Sequence, residues 1–407
     1  MNKRIAIISY HKCPLSDEKN TEIGGMGIYI LELSKELVKK GYIIDIYTRF
    51  VDKNSPKIIE VLPNLRVIHI KDSDQLNVHK KDLALFIPEF LNNFYKFIEG
   101  EKLEYNLISC HYYLSGLAGL EIKNKYKIPM FITFHTLALM KNLVARDEEE
   151  KEDIERIKAE ILLVQKADKI IATSKADKEY LYTLYNCPIN KIFVLIPGVN
   201  LNLFKPIDKK SAKKIIKADP GHRLILFVGR IVPLKGIDVL FYALKIILEK
   251  NPKLDLCLWV VGGENMGKRG KWSNELIRLE QIRKLLGITT FVKFVGQKDQ
   301  SELPNYYNAS EIVIMPSNYE SFGIIALEAM ACGVPVITTN AAGVSDIFDK
   351  KHESLITSAG NPILLAKKIK NLLSDKKQYE KISHEVYEKV QDLGWEHVAE
   401  KFIEILV

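Results

Sequence analysis

The sequence predicts an α/β protein built from two Rossmann-like domains, each with a doubly wound parallel sheet. The chain has 407 residues, more than one ordinary hydrophobic core accommodates. Short runs rich in Ile and Val alternate with longer stretches of helical period. Strands separated by helices form parallel sheets with crossover connections, and this alternation occurs twice in tandem. Two domains of the same class are therefore expected.

The apolar runs predict the strands in chain order. The first half contains seven candidates: Ile5–Ser9, Ile43–Tyr47, Arg66–Ile70, Leu107–Cys110, Met130–Phe134, Lys169–Ala172 and Ile192–Leu195. The second half contains five: Leu224–Val228, Leu256–Val261, Phe291–Phe294, Ile312–Met315 and Val334–Thr338. Apolar stripes between the strands predict helices, for example Ile30, Leu33 and Leu37.

The domain boundary is predicted near Pro197–Pro206, where a proline-flanked stretch follows a strand. The predicted domains cover residues 1–200 and 201–387, and an amphipathic helix at Trp395–Leu406 ends the chain. Ligands of doubly wound sheets bind beyond the carboxyl ends of the strands. We therefore expect the site in a cleft between two facing domains.

Composition narrows the class of protein. The chain is 47 % hydrophobic and 27 % charged, a composition typical of a soluble globular protein. The apolar run near the N-terminus is too short for a signal peptide. No apolar run approaches the roughly 18–20 residues of a membrane-spanning helix. Five scattered cysteines indicate neither disulfides nor a zinc site and fit the cytoplasm. The net charge of +8 suits phosphate-bearing ligands or peripheral contact with an anionic membrane, and no nucleic-acid-binding motif occurs.

The first candidate phosphate loop contains Gly24, Gly25 and Gly27, directly ahead of the helix marked by Ile30. Glycines at this position let backbone N–H groups approach an anion at a helix N-terminus. An NAD site is disfavoured, because the glycines follow the first strand by about fifteen residues and lack the G-x-G-x-x-G spacing. A simple turn is the alternative.

The second loop follows the Leu224–Val228 strand and carries Arg230 and Lys235 between Gly229 and Gly236. Two cations five residues apart can converge on a diphosphate whose negative charge grows as it leaves. The alternative is a pair of ordinary surface cations.

The third loop, in PSNYESFGIIALEAMACGVPV, is the most informative. Glu320 precedes a helix that is predicted from about Phe322 to Gly333 and that carries Glu328 on an apolar stripe. A buried carboxylate is costly unless it meets strong donors, and ribose hydroxyls are suitable. Glu320 can accept bonds from sugar hydroxyls, while N–H groups around Ser321–Gly323 face anions. A structural salt bridge for Glu328 is the alternative.

The order and separation of several segments resemble family 4 of the retaining glycosyltransferases, which has the GT-B fold. The matching segments are GGMGIYILELSKEL, HYYLSG, FITFHTLALMK, ERIKAE, ADKIIATS, IPGVNLNLFKP, FVGRIVPLKG and the E-x7-E pair Glu320–Glu328. The resemblance covers essentially the whole chain. It implies that residues 388–407 return to the first domain.

The resemblance also implies the roles of the donor-binding residues. Glu328 would bind ribose and Glu320 the hexose of a nucleotide diphosphate sugar. Arg230 and Lys235 would hold the diphosphate, with Gly24 and Gly25 opposite. The remaining donor contacts would come from the three residues after Glu320, namely Ser321, Phe322 and Gly323. No metal or cofactor is expected, because the cations replace a metal and the nucleotide sugar is a substrate.

The first half is similar to sucrose-phosphate synthases and to the inositol-phosphate N-acetylglucosaminyltransferases of mycothiol synthesis. By this similarity, the acceptor phosphate would meet Lys80, Tyr112, Thr136 and Arg156, and His135 would lie beside the reacting sugar. Two cations, a phenol and a hydroxyl suit a phosphate. Arg156 can instead simply pair with Glu160. Gly27 replaces an asparagine of the inositol-phosphate enzymes, which argues against inositol phosphate itself as the acceptor.

The predicted activity is transfer of a hexosyl group, with retention, from a UDP-sugar to a small phosphorylated sugar or polyol. His135, Arg230, Lys235 and Glu320 are the predicted catalytic residues. The alternative acceptor is a lipid or polysaccharide at the inner membrane face. A nucleotide-sugar epimerase is disfavoured, because it would have no acceptor for the HYYLSG segment to bind. A non-catalytic relative is disfavoured, because it would be expected to have lost at least one of the charged donor-binding residues. The enzyme is expected to act as a monomer or homodimer.

Overall fold

A computed structural model describes residues 3–15, 24–51, 56–74, 78–251, 255–263 and 272–406. The chain divides into two compact units. The first unit comprises Met1–Pro197 together with Trp395–Val407, and the second comprises Gly198–Gly394. Each unit is built around one sheet with helices packed on it, as the alternating sequence pattern predicts.

The first unit contains an eight-stranded sheet in the order β3-β4-β2-β1-β5-β6-β7-β8. Its strands are β1 (Arg4–Ile8), β2 (Ile43–Arg49), β3 (Ile58–Leu62), β4 (Leu65–Ile70), β5 (Leu107–His111), β6 (Met130–Thr133), β7 (Lys169–Ala172) and β8 (Ile192–Val194). The central strand β1 pairs in parallel with β2 and with β5, for example through Ile5 with Ile44 and Leu107. These residues are buried, which explains why the strands read as continuous apolar runs.

The sheet departs from the prediction at one edge. The sequence pattern did not reveal β3, which pairs antiparallel with β4. The strand alternates between exposed and half-exposed residues, so it lacks the apolar run by which the others were recognised. Only Pro63 and Asn64 separate it from β4, and a connection this short joins antiparallel strands.

The second unit contains a six-stranded parallel sheet in the order β11-β10-β9-β12-β13-β14. Its strands are β9 (Arg223–Val228), β10 (Leu256–Val261), β11 (Val292–Gly296), β12 (Ile312–Met315), β13 (Val336–Thr339) and β14 (Ile356–Thr357). The edge strand β14 was not predicted, because two residues are too short to show a pattern. Adjacent β9 and β12 lie at the centre and end in the two loops that carry the predicted donor-binding residues.

Fourteen α-helices are formed by the described residues. The first unit contains α1 (Gly24–Lys39), α2 (Ile87–Gly100), α3 (Tyr113–Tyr126), α4 (Ala138–Leu143), α5 (Ile154–Lys166), α6 (Lys175–Tyr185) and α14 (Trp395–Leu406). The second contains α7 (Lys209–Ile215), α8 (Ile237–Lys250), α9 (Asn274–Leu285), α10 (Leu303–Ala309), α11 (Ile324–Ala331), α12 (Pro362–Ser374) and α13 (Lys376–Gln391). Among the residues described, none of these helices is both long and apolar enough to cross a membrane.

The C-terminal helix α14 packs against α1 in the first unit. Its Trp395 ring lies edge-on to the Tyr29 ring, with centroids 5.6 Å apart. The Lys40 ammonium pairs with Glu400 at 2.7 Å, and Lys169 donates to the Ile405 carbonyl at 2.5 Å. The buried face of this amphipathic helix consists of Trp395, Val398, Ala399 and Phe402. The end of the chain thereby becomes part of the N-terminal unit.

Candidate active site

The loop after β9 brings Arg230 and Lys235 to the carboxyl edge of the second sheet. Arg230 is exposed, and Lys235 ends a 3₁₀ turn, Pro233–Lys235, directly ahead of α8. Gly236 has a φ of +62°, and a Cβ there would lie 2.2 Å from the Pro316 carbonyl oxygen. Only glycine therefore lets this loop pack closely against the loop after β12.

The same packing brings Lys235 to Glu320. The two loops are joined by the Asn318 N–H, which donates to the Leu234 carbonyl at 2.9 Å. The Lys235 ammonium forms an ion pair and hydrogen bond with the Glu320 carboxylate, and both side chains retain partial exposure. The structure thus brings together two residues that are 85 positions apart and were predicted as donor ligands. Their pairing holds the cation at the strand edge before any ligand arrives.

Glu328 lies on α11, which begins at Ile324, two residues later than predicted, and ends at Ala331. Its side chain is only 2 % exposed. The Tyr307 hydroxyl donates to Oε2 at 2.7 Å and the Gln300 amide donates to Oε1 at 3.3 Å. Burial raises the pKa of Glu328, and these two hydrogen bonds partly oppose the rise.

The alternative of a structural salt bridge for Glu328 finds no support, because no ion pair involves it in the part of the chain described. Two neutral donors hold it instead, and each carboxylate oxygen keeps a further lone pair for a ligand hydroxyl. Sequence reasoning missed both donors. Gln300 follows β11 and Tyr307 lies on α10, and nothing local to either residue points to a carboxylate elsewhere in the chain.

The segment between Glu320 and α11 is held rigidly. The Tyr319 and Ser321 hydroxyls share a hydrogen bond of 2.9 Å, and the Phe322 carbonyl accepts from Val344 at 2.8 Å. Gly323 has a φ of +101° and precedes the first residue of α11. Ser321 and Phe322 are buried, so this segment shapes the approach to the helix N-terminus.

The glycines of the first unit differ from the prediction. Gly24, Gly25 and Gly27 were expected in a loop ahead of a helix, but they form the first turn of α1. The N–H groups of a first helical turn have no intrahelical partner, so this placement leaves them available as donors. Gly25 is exposed, and Gly24 has a φ of +66°.

Tyr112 is the centre of the predicted acceptor site. It connects β5 to α3 with a φ of +77° and is only 4 % exposed. The Lys80 ammonium lies 4.5 Å from its ring centroid and the Arg156 guanidinium carbon 4.8 Å from it. Burial raises the pKa of the Tyr112 phenol, so the hydroxyl keeps its proton as a donor. This hydroxyl is buried without a hydrogen-bond partner among the described residues.

Arg156 joins α5 to the segment after β6. Its Nε donates to Glu160 at 2.8 Å, and a terminal nitrogen donates to the Thr136 carbonyl at 2.9 Å and hydroxyl at 3.1 Å. The other terminal nitrogen lies 2.8 Å from a Glu152 oxygen. The pairing with Glu160 that the sequence offered as an alternative therefore exists alongside the predicted grouping with Tyr112 and Thr136.

Glu160 supports this arrangement and was not predicted to contribute to the site. It is fully buried and also accepts bonds from the Tyr185 hydroxyl at 2.5 Å and the Ala138 N–H at 2.9 Å. Beside these groups lies an open cavity of about 390 Å³, whose lining includes Lys80, Tyr112, Tyr113, Leu117, Arg156 and Leu162. All four predicted acceptor residues thus converge, and three of them line this cavity.

His135 follows β6 with a φ of +60°. Its Nε2 lies 2.9 Å from His111 Nδ1, and burial lowers the pKa of His135 to about 3. The ring of His11, after β1, lies 4.4 Å from the Tyr112 ring, and burial holds the pKa of His11 well below its ordinary value. Sequence reasoning singled out neither His11 nor His111. Their placement at neighbouring strand ends was the available signal.

Two family models match this chain, one in each half. The family described as "Glycosyltransferase Family 4" matches residues 23–203, and "Glycosyl transferases group 1" matches residues 208–389. The chain is 31 % identical to a D-inositol 3-phosphate glycosyltransferase of Thermobispora bispora over 99 % of its length and 94 % of the relative. A second such enzyme, of Rhodococcus erythropolis, is 30 % identical, over 99 % of this chain and 90 % of the relative.

Among solved structures, a sucrose-phosphate synthase of Thermosynechococcus elongatus superposes with a TM-score of 0.89 and 29 % identity, covering 99 % of this chain and 98 % of that one. The fold and the family matches together define a glycosyltransferase with the GT-B fold, which confirms the predicted fold class. The chain belongs to glycosyltransferase family 4, whose members are retaining enzymes that bind a nucleotide-sugar donor and an acceptor.

Proposed function

We propose that this enzyme transfers a hexosyl group from a UDP-sugar to a small phosphorylated sugar or polyol. The observation that carries the acceptor half of the proposal is the Tyr112 ring with Lys80 and Arg156 at its face, beside a cavity. Several relatives bear names with a phosphorylated acceptor or product, namely D-inositol 3-phosphate glycosyltransferase and sucrose-phosphate synthase.

The donor half rests on the carboxyl edge of the second sheet. We expect Glu328 to accept hydrogen bonds from the ribose hydroxyls, beside the Tyr307 hydroxyl that already holds it. Glu320 would accept from the hexose, and Lys235 would exchange part of its pairing with Glu320 for the diphosphate. Arg230 is exposed on the same loop and would add the second positive charge.

The chemical step we propose takes place on one face of the sugar. The bond between the anomeric carbon and the diphosphate oxygen breaks, the acceptor oxygen forms the new bond, and its proton passes to the leaving diphosphate. Arg230 and Lys235 stabilise the negative charge that develops on this leaving group. His135 is neutral at physiological pH, because its pKa is about 3, so it positions the sugar as a neutral imidazole.

The acceptor phosphate would bind to Lys80, the Tyr112 hydroxyl, Thr136 and Arg156. Arg156 is already held by Glu160 and Thr136, so little conformational entropy remains to be lost when a ligand binds. Each cation paired with phosphate in a partly dry pocket contributes roughly 1.5–3 kcal/mol. Gly27 stands where the inositol-phosphate enzymes carry asparagine, so we expect an acceptor other than inositol phosphate.

The donor is tested by thermal shift with UDP, GDP and ADP, followed by their sugars, since a ligand that binds the native state raises its melting temperature. We expect UDP to give the largest shift, and a larger shift from GDP or ADP would overturn the choice of base.

Proton NMR of the product should show an α-linked sugar. A β-linked product would contradict retention. If activity requires lipid vesicles and soluble sugar phosphates are inert, the acceptor is a lipid and the proposed phosphorylated acceptor is wrong.

A further inference from the structure

The His135 ring contacts two aromatic groups of its own unit. His111, the last residue of β5, approaches from the neighbouring strand end, with its Nδ1 2.9 Å from His135 Nε2 and the rings stacked at 28°. The Tyr29 ring from α1 lies 5.3 Å from His135 and 5.7 Å from His111. The Trp395 ring of α14 in turn lies 5.6 Å from the Tyr29 ring. Two other elements of the fold, β5 and α1, therefore meet at the His135 imidazole.

The short contact between the two histidines constrains their protons. Burial lowers the pKa of both rings, so both are neutral and each carries one proton. A hydrogen bond between Nδ1 of His111 and Nε2 of His135 requires one nitrogen to donate and the other to accept. If His111 donates, the His135 proton is on Nδ1, and if His111 accepts, that proton is on Nε2. The bond therefore couples the two rings, because it forms only when both carry the proton on Nδ1 or both carry it on Nε2.

The backbone adds a second constraint. His135 has a φ of +60°, a conformation that a residue other than glycine adopts only when its surroundings enforce it. The side chain is half-buried, with Nε2 turned to His111, so Nδ1 is the ring nitrogen left for a ligand among the described residues. Nδ1 of His135 therefore accepts a hydrogen bond from a ligand when Nε2 donates to His111, and it donates one when Nε2 accepts.

We propose that His111 is a positioning residue, which fixes the ring orientation and the single tautomer in which His135 meets the hexose. The inference rests on the proposed function, in which His135 lies beside the reacting sugar. His111 is only 2 % exposed, so we expect it to act through His135 and not by contacting the substrate itself. Its other ring nitrogen has only a long contact of 3.5 Å, to the Ser109 hydroxyl.

The test compares two substitutions at one position. His111→Asn places an amide at the position of Nδ1, and this amide can donate or accept. His111→Phe keeps a ring of similar size but removes both nitrogens. Cys110→Ala on the same strand controls for general damage to β5, since the buried Cys110 thiol faces Gly119 of α3 instead. Thermal unfolding of each variant establishes that it is folded.

Two measurements are made on each protein. Long-range ¹H–¹⁵N spectra of histidine-labelled protein report the tautomer of His135, which is assigned by its loss in His135→Gln. Steady-state kinetics report kcat and the donor KM. We expect one tautomer in the wild type and in His111→Asn, and a mixture in His111→Phe. We also expect kcat to fall at least about tenfold in His111→Phe, because loss of orientation acts on the chemical step, with donor KM changed less than threefold.

The outcomes separate this proposal from the proposed function. A mixture of tautomers in the wild type, or an unchanged kcat in folded His111→Phe, overturns the role of His111 while leaving glycosyl transfer intact. If no nucleotide sugar is turned over by the wild type, the proposed function fails, and the spectra still decide whether His111 fixes the tautomer. An equal loss of kcat in Cys110→Ala reduces His111 to a structural residue.

Discussion

The charged groups of the two units differ in how they are held. In the second unit, Arg230 is exposed and Lys235 forms a partly exposed pair with Glu320, all within a few residues of a strand end. In the first unit, Arg156 is 3 % exposed and is held by Glu152 and Glu160 of its own segment and by Thr136 from the segment after β6. The charged groups of the second unit can exchange their present partners for a ligand. Those of the first unit are already held in place, and holding them there buries their charges.

This difference indicates where the enzyme's selectivity resides. A diphosphate group is common to all nucleotide diphosphate sugars, so residues that exchange partners suffice to bind it. Recognition of one acceptor needs side chains in fixed positions, because ordering side chains when the ligand binds costs free energy. Replacing Lys235 should therefore change turnover, whereas replacing Arg156 or Lys80 should change stability or acceptor affinity.

The largest expected effect follows Lys235→Ala. The substitution removes a positive charge that acts most strongly on the leaving diphosphate, so kcat should fall by about 10²–10³, as for other groups that stabilise transition-state charge. The melting temperature should remain close to that of the wild type, because the pair with Glu320 is partly exposed. Lys245→Ala on the following helix α8 is the matched control. Unchanged turnover in Lys235→Ala would remove it from the active site.

Arg156→Ala should have the next largest effect, and this effect should be on folding. It removes the cation from Glu160, which is fully buried, so the free energy of unfolding should fall by about 3–5 kcal/mol in urea denaturation. Arg146→Ala, whose pair with Glu150 is partly exposed, is the control and should cost about 1 kcal/mol or less. Adding Glu160→Gln to Arg156→Ala should restore part of the loss. Equal costs for Arg156 and Arg146 would contradict the assembled site.

Lys80→Ala should act on the acceptor alone. We expect the acceptor KM to rise about tenfold, equivalent to about 1.4 kcal/mol, with donor hydrolysis unchanged. Lys71→Ala is the control, since Lys71 pairs with Asp74 and does not line the cavity beside Tyr112. If the two variants show the same acceptor KM, the contact of Lys80 with Tyr112 does not contribute to the acceptor site.

The smallest effect concerns pH. Burial lowers the pKa of His11, His111 and His135 in the folded state, to about 3 for His135, whereas an unfolded histidine titrates near its ordinary 6.5. Below pH 6.5 the unfolded state therefore binds more protons, so these residues reduce stability as the pH falls from about 6.5 towards 3. The melting temperature of His111→Asn should fall less than that of the wild type between pH 7.5 and 5.0. A parallel fall in both proteins would contradict the burial of neutral His111.

The fold could be predicted largely from the sequence, because strands buried on both faces appear as apolar runs. The exceptions have physical reasons. The edge strand β3 is half exposed, and β14 has two residues, so neither has a pattern to detect. The first turn of α1 was taken for a loop because glycines are poor helix formers, although at a helix N-terminus this costs little.

The candidate site was predictable to the extent that its residues are local in sequence. Lys235 and Glu320 follow strand ends, and the structure shows the two side chains together. The partners Gln300 and Tyr307 were missed because they reach Glu328 from other elements through long-range packing. The pair of Arg156 with Glu160 was visible from their spacing of four residues, but the bonds of Glu160 to Tyr185 and Ala138 were not. Buried hydrogen-bond partners are set by tertiary structure, and single-sequence patterns do not encode which carboxylate a tyrosine will contact.

We propose that the Tyr112 pocket selects a phosphorylated acceptor. The most direct test measures kcat/KM for fructose 6-phosphate, inositol phosphate and related sugar phosphates against their dephosphorylated forms, with UDP-glucose, UDP-GlcNAc and GDP-mannose as donors. We predict that at least one phosphate is used at least about tenfold better than its dephosphorylated form, and that Lys80→Ala reduces this ratio. Equal use of both forms by the wild type would contradict the claim.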